Sequence, residues 1–404
     1  MNGIEGIAAP GEKTAEMKRR RNLFLCIPSR IILNEKGAAL FISHNKPLHR
    51  FETTDGERHF GFRLEKISFA WLKKLLLKDL LKKMETQIKD ISACRVHLED
   101  TIKLVFFSMC RHRINQSILE RVYDCPVVRT WNRANPKKSI GPGMKMEEES
   151  FRDQLNSRMP GGLENLKGEL YHKIIKSLPP SLVEAREEPM DIYHFVRELV
   201  SDLNPLVFFI LAGSTPEDRF RLIQEINKVM IQFVGYFDIV NLASLLTIEL
   251  VSAAERSALV RLLENAGDIR GILENPDRRK AVMAEKHFRG STVVAAVPAI
   301  IPENQRLRFR ISVYNDGADL DEERKLMEDF TERSYTFKSG QRLEEFFKTP
   351  LSRRGPGVYE DRGLCFYYLT ILQDQCRKNK IPLDTAIKNS PSGESVVTTL
   401  WFSL

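Results

Sequence analysis

The chain is short of cysteine, and what it has is poorly spaced for chemistry. Its six cysteines, at positions 26, 94, 110, 125, 365 and 376, contain no Cys-x-x-Cys pair, and the nearby His97 and His112 complete no zinc pattern. Six in 404 residues is also too sparse for a disulfide framework, so reduced thiols are expected. Long apolar runs are missing too. The longest, residues 206–212 and 293–301, fall far short of the ~18–20 residues that a membrane span needs. A basic cluster at 18–21 precedes an apolar stretch at 22–27, as in a signal peptide, but Pro28, Ser29 and Arg30 end it too early. These absences predict a cytoplasmic chain with no membrane span. No self-similarity at a period of ~20–50 residues is visible, which excludes solenoids and propellers.

What is present is ordinary globular material, 42% hydrophobic and 29% charged, with enough length to bury a core. A chain of 404 residues suggests about two or three domains. The formal charge of +8 is unevenly placed. Residues 1–150 hold 28 Lys and Arg against 18 Asp and Glu, a net of +10, and the remainder holds 34 against 36. The basic character belongs to the N-terminal third.

Residues 1–21 read as a disordered tail. Between 22 and 63, short apolar runs at 23–27, 31–33, 38–42 and 59–64 alternate with turn residues, a strand-and-turn pattern. Residues 68–88 carry a helical stripe of Phe69, Leu72, Leu76, Leu80 and Met84, with Lys73, Lys74, Lys78, Lys82 and Lys83 around it. Such a helix can lie on anionic lipid or nucleic acid; the plainer reading is a core helix with a Lys-rich wet face. Residues 98–134 look helical and break at Asp124-Cys125-Pro126. Within them, Tyr123 and Trp131 among Arg121, Arg129 and Arg133 give a faint helix-turn-helix, with Asp in the turn and Thr130 where an apolar residue should pack. Residues 135–143 read as a linker, and 177–189 as a second break.

From residue 191 helices are expected at 192–203, 216–234 and 237–263, the second capped by Thr215 with Pro216 in its first turn. Strand-like runs follow at 287–301 and 306–314, joined as a hairpin through Pro302-Glu303-Asn304-Gln305. A polar segment, 319–361, leads to a helix near 364–372, and a β-prone stretch closes the chain at 394–404. The expected organisation is a tail at 1–21, a separate basic α+β domain at 22–140, a linker and helix at 141–190, and a further domain at 191–404.

One ordered constellation lies in that last part. A helix carries Glu249 and, four residues on, Ala253; a strand ends in Asn315-Asp316-Gly317-Ala318-Asp319. After the polar segment, Asp361-Arg362-Gly363-Leu364-Cys365 opens a helix, and Pro391-Ser392-Gly393-Glu394-Ser395 opens a strand. This order resembles the ATP-binding domain of the histidine-kinase, gyrase and mismatch-repair (GHKL) superfamily, in degenerate form, and in particular small bacterial members with an extra N-terminal region. The resemblance implies an α+β fold with a helix layer on a mixed sheet, behind a helical lead-in. It implies that Glu249 stands at the catalytic base. Asn315 and Gly317 would contact adenine, where a carboxylate is the acceptor that matches the exocyclic amine and the Asn315 amide is a less specific one. Gly363 and Leu364 would lie at the phosphate turn, and Gly393 and Ser395 at the closing strand. Glycines in such turns let backbone amides reach phosphate at a helix start.

Departures from the pattern are as informative. Ala253 replaces the Mg²⁺-binding Asn, Asn315 replaces the adenine Asp, and Asp319, Asp361 and Cys365 stand where glycines belong. Asp361 sets a negative charge against phosphate. The resemblance therefore implies a pseudo-ATPase: ATP or ADP bound weakly or not at all, no Mg²⁺, no metal site, and a regulatory or signalling role exercised on a protein partner. His172 and His194 lie on helical segments but lack the acidic neighbour and following Pro of a phosphoacceptor. Two alternatives stand beside this reading: a nucleic-acid-binding protein acting through residues 22–140, and a ligand-free structural protein.

Overall fold

Period-two alternation along β6 (Leu81–Ile88) states the design of the main sheet: Met84 and Ile88 are buried apolar, while Lys83 and Glu85, on either side of Met84, are buried and charged. The computed structural model describes residues 24–142, 148–180, 190–263, 268–286, 290–296, 308–316, 320–321, 324–325 and 363–403. The chain divides into two units, Met1–Ser108 with Val240–Leu404, and Met109–Ile239.

The first unit is built on an eight-stranded sheet in the order β3 (His49–Glu52), β4 (Arg58–Leu64), β2 (Ser29–Leu33), β6, β7 (Ser291–Ala296), β8 (Arg308–Asp316), β10 (Ser395–Ser403) and β9 (Leu383–Asn389). β1 (Phe24–Leu25) and β5 (Ile67–Ser68) form a small separate ladder. Register gives the sheet two unlike faces. One row across it reads Phe62, Ile31, Met84, Ala295, Ile311, Leu400; the next reads Arg63, Arg30, Glu85, Val294, Ser312, Thr399. The apolar face is covered by helices. Phe106 of α3 (Ile91–Tyr123) meets Phe309 and Phe402 edge-on at 5.4 and 5.1 Å. Phe41 of α1 (Glu35–Ser43) and Trp71 of α2 (Phe69–Leu77) both pack on Phe62.

Two local signals account for the elements near the start. Asn34 caps α1 by accepting the Gly37 N–H at 2.8 Å, so the apolar run at 38–42, expected as a strand, is helical. The stripe at 68–88, expected as one helix, stops at Leu77. Asp79 adopts a left-handed conformation, and the Leu80 amide returns to the Leu75 carbonyl, a Schellman-type end. The remaining residues are β6.

Gly61 sits where β4 crosses β2 closely: an added Cβ would lie 2.0 Å from the Ile31 carbonyl oxygen. Gly61→Ala is expected to destabilise the protein by about 2 kcal/mol, read as a lower urea midpoint at unchanged slope. An unchanged midpoint would contradict the close approach.

The second unit is helical. It contains the end of α3, α4 (Pro126–Ala134), α5 (Glu148–Arg158), α6 (Gly162–Lys176), α7 (Met190–Ser201), α8 (Pro205–Gly213) and α9 (Pro216–Val234). The apolar run noted at 206–212 is α8, buried on most sides and packed by α4, α5, α6 and α9. Thr215 caps α9 as expected. Buried Arg111 donates to the Glu198 carbonyl and pairs with Asp202, while Asn115 accepts the Asn204 N–H, fastening the α7–α8 turn to α3.

The chain enters the first unit again within α10 (Tyr236–Leu262), then forms α11 (Ile269–Glu274), α12 (Pro276–Glu285) and, before the final strands, α13 (Gly363–Lys378). The helical run Pro216–Leu262 contains one 18-residue window apolar enough to cross a membrane by length and composition, but 61% of that window is buried in the protein. All six cysteines are free thiols, four of them buried.

The α+β class holds, but the expected organisation needs correcting in three respects. A separate domain at 22–140 is not what forms: β6, from the N-terminal third, pairs with β7 along Lys83–Ala296 to Ile88–Ser291, so one sheet takes strands from both ends of the chain. The expected mixed sheet is antiparallel at every pairing among the described residues, because the long helical excursion from β6 returns the chain at the end it left. The expected linker, as far as residue 142, is tied down: the Trp131 indole donates to the Lys138 carbonyl, and Asn132 holds both polar groups of Ile140. Part of the second break, 181–189, lies outside the described residues.

Candidate functional site

β8 and β10 bring part of the sequence constellation to one end of the sheet. Asn315, one residue from the end of β8, is paired in register with Val396, and Asp316 with Ser395, the first residue of β10. Asn315 is only 9% exposed, and its Oδ1 has no hydrogen-bond partner among the described residues. An unmet buried acceptor is costly, so this oxygen is the most ligand-directed atom of the constellation.

Gly393 lies in the turn from β9 to β10 at φ +75°, a conformation that side chains other than Gly adopt only with strain. Its amide donates to the Ser390 carbonyl at 2.9 Å, and the Ser395 amide donates to Ser390 Oγ at 3.2 Å. The turn consumes the amides that a phosphate would need. Asn315 Oδ1 is thus an acceptor left open among the described residues, while the amides of Gly393 and Ser395 are already engaged.

Glu249, on α10, is mostly buried and pairs with Arg95 of α3 at 3.6 Å; among the described residues no hydrogen bond or ion pair joins it to Asn315. Ala253 offers no oxygen to a cation. Gly363 and Leu364 open α13, whose Cys365 is buried. Gly317, Asp319 and Asp361 lie outside the described residues. His172 is exposed beside Tyr171, and His194 is half-buried.

Two carboxylate clusters escaped the sequence reading. Glu255, two residues beyond Ala253 and 3% exposed, accepts the Ile91 N–H at 2.7 Å and faces Arg279, closing the start of α3. Burial pushes its carboxyl up, against the pull of the Ile91 N–H and Arg279. It is a cap, with helix-anchoring as its work.

The second cluster is larger. Lys83 is 2% exposed and Glu85 3%, on the polar face of β6. The tip of the β3–β4 hairpin folds onto them. Asp55 pairs with Lys83, accepts from Arg310 at 3.2 Å, and takes the Thr53 hydroxyl at 2.6 Å. Glu85 accepts the Thr54 N–H at 2.9 Å and faces Arg30 at 3.6 Å. A register shift at Ile32–Leu33 leaves Lys82 as an extra residue, and it reaches Glu57 and His59 on the same hairpin. Burial alone would raise the Asp55 carboxyl; the hydrogen bonds from Lys83, Thr53 and Arg310, with the Lys83 charge, hold it far below the usual carboxylate range. Only alternation in β6 (Lys83, Glu85) could have signalled this cluster, and the helical stripe hid it.

Among the described residues no group of three or more His, Cys, Asp or Glu side chains converges as a metal site would require. The fold and site define a protein with an antiparallel sheet, a helix layer on one face, and at the sheet end a carboxamide oxygen, that of Asn315, unmet among the described residues. The chain belongs to the family of unknown function DUF8084, whose model matches residues 20–404. It is similar to an uncharacterized protein of Treponema pallidum (strain Nichols), 19% identical over 398 residues that cover 95% of this chain and 99% of the relative. No solved structure matches it.

Proposed function

We propose that the chain is a non-catalytic regulatory protein built on a degenerate histidine-kinase-like ATPase fold, acting in the cytoplasm on a protein partner and retaining at most an adenine-binding position. The observation that carries this is the buried Asn315 Oδ1 at the end of β8, without a partner among the described residues and one register step from Ser395. An exocyclic amine is the donor it lacks. The order of α10, β8, α13 and β10 and the helix layer on one sheet face support the same reading. Ala253 and the closed amides of the Gly393 turn argue against Mg²⁺ and against tight phosphate binding.

Calorimetry and thermal shift with adenosine, ADP and ATP, with and without Mg²⁺, test it. Adenosine and ADP should bind comparably, Mg²⁺ should add nothing, and Asn315→Leu should weaken binding about tenfold. Turnover of ATP at an ordinary enzymatic rate would overturn the non-catalytic reading, and no response to any adenine compound would remove the site.

The nucleic-acid reading has less behind it. At least five of the 28 Lys and Arg in residues 1–150 are engaged within each unit: Lys82 with Glu57, Lys83 with Asp55, Arg30 with Glu85, Lys103 with Glu99, and Arg111 with Asp202. Charge already paired releases few counterions on meeting a phosphate backbone.

A further inference from the structure

The eight-stranded sheet ends on β9, Leu-Asp-Thr-Ala-Ile-Lys-Asn, which is paired with β10 on one side. No strand among the described residues pairs with its other side. A seven-residue strand without Pro leaves a row of backbone donors and acceptors, and proteins usually guard such edges. The opposite edge, β3, is guarded in the ordinary way. It has four residues, and its hairpin tip is tied to the sheet through Asp55 and Glu57.

β9 is different because its charges are symmetric about its centre. Laid antiparallel against itself with Ala386 on the axis, Asp384 meets Lys388, Thr385 meets Ile387, and Leu383 meets Asn389. Asp384, Ala386 and Lys388 share one face, set by their register with Trp401, Thr399 and Val397. The two opposite-charge pairs therefore lie side by side on that face, with the smallest side chain between them at the point of closest approach. Asp384 and Lys388 are both exposed, and Asp384 already has one cation near it, Arg308 at 3.9 Å, which itself lies over the Trp401 ring. A second copy would place Lys388 on the other side of Asp384. An antiparallel pairing of this kind follows from a two-fold axis perpendicular to the sheet, the commonest way for identical chains to associate.

We propose that two copies of this chain pair through β9, Asp384 of each against Lys388 of the other, joining the two sheets into one. The interaction is independent of the adenine reading. Seven residues of edge form a small interface, so the association is concentration-dependent.

Sedimentation equilibrium on the full chain across a concentration series, at low and at high salt, is the test. A monomer–dimer equilibrium weakened by salt is expected. Lys388→Glu and Asp384→Lys should each shift the midpoint at least about tenfold towards monomer, since each replaces two attractive cross-strand pairs by repulsive ones. The double variant D384K/K388D should dimerise again, because it restores both pairs with signs exchanged. At concentrations below the parent's dimer midpoint, thermal melts of all three should match the parent, as both side chains are exposed. A chain that stays monomeric throughout, a dimer indifferent to either charge reversal, a double variant that fails to recover, or growth beyond the dimer would each overturn the proposal.

Discussion

Lys83→Met should cost the first unit about 3–5 kcal/mol, the largest effect expected of any single side chain in the protein. Lys83 is nearly inaccessible and is held between Asp55 and Glu85, so its removal strands the buried Glu85 carboxylate and leaves the half-buried Asp55 without its nearest cation. Arg310 and Arg30 remain, but they approach from the far side of each carboxylate. Adding Asp55→Asn to Lys83→Met should recover part of the loss, because it removes one stranded charge without removing the loop. Urea unfolding at pH 7 reads both. A loss below 1 kcal/mol for the single variant, or a double variant worse than the single, would contradict the arrangement. The same cluster gives the acid limb its sign. Asp55 titrates lower folded than unfolded, so its contribution is complete above the unfolded value near pH 4 and disappears as pH falls through the folded one.

On the alkaline side, stability should begin to fall near pH 9. Burial raises four thiols, Cys94, Cys110, Cys125 and Cys376, and two of them carry the largest shifts. Cys376, buried on α13, is pushed up by burial to about 12, and Cys110, buried on α3, is pushed up by the same cause. Each is raised above its unfolded value, so its contribution is intact below that value and is lost as pH rises towards the folded one. By pH 10 each thiol should remove roughly 1.4 kcal/mol from the unit that holds it. Above pH 10 Tyr314 joins them in the first unit, its hydroxyl pushed up to about 12 by burial and then by the charge of Asp55. Urea titrations at pH 8 and pH 10 under reductant measure the loss. Cys376→Ser and Cys110→Ser should each flatten it, and a parent equally stable at both pH values would refute it.

Much of the helical part could be read from residues alone. Apolar spacing and capping residues located α9 and α10, Thr215 sat at its cap, and Asp124-Cys125-Pro126 broke α3 from α4. These are local properties, decided within about a turn of chain. The failures share the opposite character. Residues 81–88 carry a spacing compatible with either period, and only Asp79 in its left-handed conformation, with β2 and β7 waiting on both sides, decided for a strand. Likewise the placement of Asn315, Gly393 and Ser395 at strand ends and in a turn was legible because turn and strand signals are local, whereas the pairing of Glu249 with Arg95 comes from packing that no spacing announces.

The absences with which the sequence begins bounded the protein well. Scarce, ill-spaced cysteines meant free thiols, the short apolar run at 206–212 became a core helix, and the class came out α+β with Asn315 at a strand end. Tertiary structure alone decided that both ends of the chain share one sheet, and that the basic excess at Lys82 and Lys83 is met by Asp55, Glu57 and Glu85. It decided too that the amides of the Gly393 turn are closed. The reason is physical: helices and turns are settled by neighbours a few residues away. Strand partners and buried ion pairs are settled by residues as distant as Asp55 and Arg310, whose meeting depends on the whole fold.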